Sequence, residues 1–285
     1  MEAGGKRHIS HPSRKDEFTI YGLGDLHLGS KATAEGQLEK DVEAIRADHN
    51  AFWFGLGDYA EYISHRDRRA NLQDMAEWLT LDDLSHLGHT LNQKVRDVLK
   101  PIKHKCLGLL FGNHEDVYQR TLEQTDMHCW LCQELGVPNL RYSAFVDVIF
   151  TRVPRVKRAR LGKYPGVGYS SASFRFYLHH GAGGSNTPGG KLNRLVQFMD
   201  AFESDIYMIG HVHDKKGQRL VSITANPACD TITHRDRVGI VSGSYLRTYA
   251  QGVTTYGEKK GYRPAPLGAS FVRIHPESRT ITAEL

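Results

Sequence analysis

Five times along this 285-residue chain a short apolar run gives way to a short polar turn, and each time Asp, Asn or His stands beside a glycine there. Phe18 to Leu23 runs into Gly24-Asp25-Leu26-His27, and Ala51 to Leu56 into Gly57-Asp58. Cys106 to Phe111 runs into Gly112-Asn113-His114-Glu115, and Phe174 to Leu178 into His179-His180-Gly181. Ile206 to Ile209 runs into Gly210-His211-Val212-His213. Apolar runs of this length, closed by turn residues, predict buried strands. Helical spacing fills the intervals between the first three: Leu38 to Asp48, then about 66–100 (Leu72, Met75, Trp78, Leu79, Leu84, Leu87, Leu91, Val95, Leu99) up to Pro101. A further helix is predicted from Asp116 to Leu135. Strands alternating with helices imply a parallel sheet, whose ligands sit at the carboxyl ends of the strands. All the polar clusters are expected at that edge.

The second half is richer in strands: Ala144 to Phe150, Gly239 to Leu246, Ala269 to His275 and Thr280 to Leu285 are expected to be extended. A Gly-rich loop, Gly181 to Gly190, leads into a helix from about Lys191 to Glu203. There is no internal repeat and no long linker. The expected organisation is a flexible polar tail over 1–16 and a single domain over 17–285 carrying a helical insert at about 66–100. No apolar run reaches membrane-span length, and the N-terminus lacks a signal-peptide core, so a cytoplasmic protein is expected. The net charge of +5 is compatible with an anionic substrate without demanding one. Cys129 and Cys132 form a CxxC in a helical pattern with no second CxxC, which predicts core packing rather than a zinc site.

In Asp25-x-His27 at a strand end, side chains two apart point the same way and can reach one ion. Asp, His and Asn together suit manganese, iron or zinc. Glycines beside such residues permit tight turns.

In order, the blocks read DxH, GD, GNHE, H and GHxH. This resembles the calcineurin-like metallophosphoesterase superfamily, in particular uncharacterised phosphoesterases of phage and bacterial genomes, whose likeness extends to GAGGSNTPGGKLNRL and YRPAPLG. The resemblance implies an α/β (α+β) fold of two face-to-face mixed β-sheets flanked by helices, a four-layer αββα sandwich. It implies two divalent metal ions, manganese first, with iron, zinc, nickel or cobalt as alternatives. Asp25, His27 and His213 would hold one, Asn113, His180 and His211 the other, and Asp58 would bridge them. Asn113 and His114 would bind the substrate phosphate, and His114 would protonate the leaving oxygen as a metal-bridging hydroxide attacks phosphorus. His180 is preferred to its neighbour His179 because it forms the His-Gly pair. Glu115 would orient His114 or tie the loop to nearby backbone.

The expected function is hydrolysis of phosphodiester bonds, with monoesters also in range, on a nucleotide or nucleic acid. The Arg that protein phosphatases of this fold carry soon after GD is absent from Gly57-Asp58-Tyr59-Ala60-Glu61-Tyr62, which argues against that class. The competing reading is a non-catalytic interaction scaffold, which the complete ligand set disfavours. Two basic features bear on substrate. Arg152 to Lys163 could track a phosphate backbone, and Lys191 and Arg194 follow the Gly-rich loop. Tyr59, Tyr62 and Tyr118 could stack on a base or fill the core.

Overall fold

The alternation of apolar side chains along the strands decides the layering. The computed structural model describes residues 1–62, 74–122, 126–185 and 187–285. In strand β3 (Ala51–Gly55), Phe52 and Phe54 face one hydrophobic cluster while Ala51 and Trp53 face another. In β8 (Ile206–Ile209), Ile206 and Met208 face the first cluster, and Tyr207 and Ile209 a third. Both strands are apolar throughout because both of their faces are covered.

Two sheets result. The smaller has the order β12-β11-β2-β3-β4, with β2 (Phe18–Leu23), β4 (Cys106–Leu109), β11 (Ser270–His275) and β12 (Thr280–Glu284). The larger has the order β6-β1-β5-β7-β8-β10-β9, with β1 (Glu2–His11), β5 (Ser143–Arg152), β6 (Arg160–Gly162), β7 (Ser171–His179), β9 (Lys216–Ala225) and β10 (Ile232–Val241). Phe18, Ile20, Phe52 and Phe54 of the small sheet meet Val146, Phe150, Phe174, Phe176 and Met208 of the large one between the layers. Helices α1 (Glu35–Ala47), α2 (Leu87–Leu99), α3 (Asn113–Leu122) and α4 (Met127–Leu135) lie on the small-sheet side, where Leu38, Ile45, Leu91, Val95 and Leu131 pack around Trp53. Helix α5 (Pro188–Ala201) covers the outer face of the large sheet through Leu195 and Met199. The expected αββα order is present.

Local chemistry sets several boundaries. Thr187 caps α5 by accepting from Gly190 N, with Pro188 in the first turn. Asp126 caps α4, which ends at Gly136 in the left-handed region. Buried Lys105 donates from Nζ to Ile45 O (2.6 Å) and Asp48 O (2.6 Å), satisfying carbonyls at the end of α1.

Three expectations are corrected, and one segment is placed. Residues 1–16 are not a flexible tail: β1 pairs in parallel with β5 from Glu2 to His11 and antiparallel with β6. Its sequence hides this, because the backbone ladder and fully buried Ile9 hold a strand whose other side chains are mostly polar. Of the expected 66–100 helical insert, 66–73 lies outside the described residues. Within 74–100 regular helix is confined to a 3₁₀ turn, Asp82–His86, and α2. The single helix expected over Asp116–Leu135 is two, α3 and α4. The basic stretch Arg152–Lys163 contains β6 and lies at the far end of the sandwich from the strand ends that carry the polar clusters. Ser143 of β5 pairs with His179 and Thr151 with Ser171, which sets the two ends roughly 25–30 Å apart. No helix among the described residues is long and apolar enough to cross a membrane.

Candidate metal centre

Strands β2, β3 and β4 run parallel in one sheet, and β7 and β8 run parallel in the other. The loops at their carboxyl ends face each other across the sandwich: His180 Nδ1 lies 2.7 Å from Leu56 O, and His211 N donates to Asp25 Oδ2 at 2.8 Å. Eight non-glycine residues have positive φ among the described residues. Five of them are Asp25, His27, Asp58, His211 and His213, with φ between 46° and 69°. Such conformations persist only where the surroundings enforce them, and they gather at functional sites. Here the surroundings are Asp25 N to Gly57 O (2.8 Å), His27 N to Asp58 O (3.2 Å) and Tyr245 N to Asp25 O (2.9 Å).

The expected ligands converge in two adjoining sets. In the first, Asp25 Oδ1 lies 3.2 Å from His213 Nε2, and His27 Nε2 lies 3.2 Å from the same nitrogen. In the second, His180 Nε2 lies 3.1 Å from Asn113 Oδ1 and 3.3 Å from Asp58 Oδ2, with His211 grouped beside Asp58 and His180. Asp58 also groups with His27 and His114, so it stands between the sets. Close approach demands glycine here. A Cβ on Gly112 would stand 2.0 Å from Asp58 Oδ1, and one on Gly57, at φ +93°, 2.6 Å from Gly112 N.

The surroundings fix ring orientation. His27 Nδ1 is 2.6 Å from Glu61 Oε2, and His180 Nδ1 faces the Leu56 carbonyl, so each ring turns Nε2 toward the centre. Glu61 was not singled out as a site residue from sequence. The available signal was an acidic residue three positions after Asp58 in the same turn. Its second oxygen, Oε1, lies 3.8 Å from His114 Nδ1. Glu115 takes the second of its two expected roles: it accepts from Gly112 N, Asp58 N and Tyr59 N, tying the loops after β3 and β4 together.

Charge explains what the centre accepts. Burial would raise Glu61, but His114 and His27 hold it down to about 2. Burial would likewise raise Asp58, yet His180, His114 and His27 keep it well below the ordinary carboxylate range. Burial disfavours protonated His27, but Glu61, Asp58 and Asp25 outweigh it and lift it to about 9. Asp58 and Asp25 do the same for His180, also to about 9. Several buried carboxylates thus draw protons onto neighbouring imidazoles, and bound cations would take the place of those protons. Asp25 Oδ1 is buried without a hydrogen bond. An orphaned carboxylate oxygen among imidazole nitrogens is a donor set that fits divalent cations.

Other residues fall elsewhere. His179 faces away: its Nδ1 accepts from Gly181 N and its ring stacks on Phe198 at 4.6 Å. Tyr59 and Tyr62 are core residues, donating to Leu110 O and Asn92 Oδ1. Tyr118 is buried, with its hydroxyl accepting from Gly88 N, and it edges the cleft. Lys191 reaches the cleft and donates to His213 O at 3.3 Å, whereas Arg194 lies against Gly183. Cys132 is buried on α4 and Cys129 half-buried. His114 sits 4.8 Å, ring to ring, from His27 at the floor of a cleft of about 1150 Å³.

No family model and no curated protein matches this chain. Among solved structures it is similar to Vps29 from Entamoeba histolytica, in a complex with zinc (10% identity, 94% of this chain and 97% of that one, TM-score 0.36). It is also similar to a metallophosphoesterase from Sphaerobacter thermophilus (11%, 94% and 87%, 0.35) and a predicted phosphoesterase from Streptococcus pneumoniae (12%, 91% and 84%, 0.32). These likenesses are weak, and no residue role rests on them. The five Asp, Asn and His blocks thus meet, in the expected order, at the strand ends of a four-layer sandwich of two mixed sheets flanked by helices.

Proposed function

We propose that the chain is a metal-dependent phosphoesterase that cleaves phosphodiester bonds and works with two divalent ions. One observation carries the reading: Asp58 stands between two donor sets, grouped with His27 on one side and with His180 and His211 on the other. Asp25, His27 and His213 would hold one ion, and Asn113, His180 and His211 the other, with Asp58 shared. Manganese suits this mixture of oxygen and imidazole donors, as do iron and zinc. A divalent pair supplies Lewis acidity toward phosphoryl oxygens and lowers the pKa of coordinated water.

The chain's own groups do the rest. The Asn113 amide orients a phosphoryl oxygen. His114, at the cleft floor and facing Glu61, is held as a proton donor by that carboxylate and delivers its proton to the leaving oxygen. Glu61 and the Leu56 carbonyl keep His27 and His180 from rotating away. The cleft is wide enough for a substrate of nucleotide size or larger. The test is hydrolysis of bis-p-nitrophenyl phosphate beside p-nitrophenyl phosphate, after chelation and manganese reload, with Asp58→Asn as control. Faster cleavage of the diester and an inactive control are expected. A protein that takes up metal yet cleaves neither ester would be a scaffold instead.

A further inference from the structure

Part of the cleft wall is built by the chain between β10 and β11, and it presents Tyr256 and Tyr262. The two rings meet edge to face with centroids 6.0 Å apart, and Tyr256 is 56% exposed. Exposed aromatics taken singly need no explanation, but a pair set into the wall of a metal cleft does. The wall is also pinned. Thr255 donates to Thr248 O and accepts from Glu258 N, which fixes the short turn carrying Tyr256. Tyr262 N donates to Gly257 O at 2.9 Å, tying the second tyrosine to the same turn. Pro264 and Pro266 stiffen the backbone after Arg263. Arg263 and Lys259 line the cleft from the same wall and are exposed, and Lys260 lies 5.7 Å from the Tyr256 ring centroid.

A rigid aromatic pair with cations beside it, in one cleft with phosphate-handling ligands, matches a nucleoside phosphodiester. Every base offers a π-face, and its flanking phosphates favour positive charge. We propose that Tyr256 and Tyr262 form the base-stacking site of the substrate and that Arg263 and Lys259 attract its flanking phosphates. The inference rests on the phosphoesterase reading for its kinetic arm only. Of the tyrosines that sequence singled out as stacking candidates, Tyr59 and Tyr62 are in the core, and Tyr118, at the cleft edge, is only 4% exposed, so the exposed Tyr256 takes over that role with Tyr262.

The test compares thymidine 5′-p-nitrophenyl phosphate with methyl p-nitrophenyl phosphate, which share a leaving group and differ in the nucleoside. In Tyr256→Ala and Tyr262→Ala, KM for the thymidine ester is expected to rise about tenfold. Turnover of the methyl ester should stay within about twofold, and Tyr→Phe should restore the low KM, because stacking does not need the hydroxyl. Equal effects on both esters, or none on either, would overturn the site. Calorimetry with thymidine monophosphate against glycerol phosphate gives a readout independent of turnover. Wild type should bind the nucleotide more tightly and the double alanine variant should lose that preference; no preference in wild type overturns the proposal even if the enzyme is active. A dinucleotide cleaved as well as a twelve-nucleotide strand would identify free nucleotides as the source, and a marked preference for the strand would identify single-stranded nucleic acid.

Discussion

The two ends of this sandwich are built on opposite terms. At the carboxyl ends of β2, β3, β7 and β8, short buried turns hold five non-glycine residues at positive φ and crowd carboxylates and imidazoles within ligand distance. At the other end, β6 pairs with β1 and β9 with β10 through regular backbone ladders, and Val221, Ile223 and Ile232 stand open to solvent. The first end spends local stability on an arrangement of charge. The second is ordinary strand pairing that tolerates change. The difference teaches where substitutions act: on chemistry at one end, on packing through the middle, and on little at the other.

The largest effect belongs to the site. His114→Ala should lower kcat about 10²–10⁴-fold with metal content unchanged, and near-normal turnover would remove His114 as the proton donor. Next comes packing at the strand that the sequence disguises. Ile9 is fully buried between the sheets, so Ile9→Ala should cost about 2–5 kcal/mol in urea unfolding. A loss below about 0.5 kcal/mol, the scatter of surface substitutions, would mean that β1 is dispensable, as a tail would be. Glu61→Gln removes the carboxylate behind His27 and should weaken metal affinity about 10–100-fold in a chelator competition. An unchanged affinity would confine Glu61 to His114.

Acidity gives a fourth way to separate the ends. His27 and His180 are lifted from 6.5 to about 9 in the metal-free protein. A raised pKa contributes stability that is complete below 6.5 and lost as pH climbs through about 9. Metal-free protein should therefore lose stability over that window, while manganese-loaded protein, with those protons displaced, should not. Identical pH profiles for the two forms would contradict the charge assignment. The smallest effect is expected at the hairpin, where Val221→Ser should change stability by no more than about 0.5 kcal/mol and leave turnover untouched.

The contrast also explains what could be read from sequence. The loops of the candidate centre announce themselves, because Asp25, Asp58, Asn113 and His211 stand at the ends of apolar runs beside glycines. Buried strands such as β3 and β8 are legible since both faces are apolar. β1 is not, because parallel pairing with β5 relies on main-chain groups that every residue carries, and Ile9 is its one buried apolar side chain. β9 and the first half of β10 escape for the same reason: from Arg219 to Arg235 the hairpin is largely exposed and its sequence is mixed. Glu61 is invisible because a carboxylate acting through His27 carries no spacing rule of its own. Tyr59 and Tyr62 mislead because adjacency to a ligand in sequence says nothing about which side of the loop a ring takes.

In the proposed function, Asp58 lies between two ion sites and makes them one centre. The most direct measurement is metal content after chelation and manganese reload, by elemental analysis of wild type and Asp58→Asn, with diester hydrolysis followed in the same samples. Two ions per chain and restored hydrolysis in wild type, with both lowered together in Asp58→Asn, are predicted. One ion or none in wild type, or an Asp58→Asn protein that keeps two ions and full hydrolysis, would contradict it.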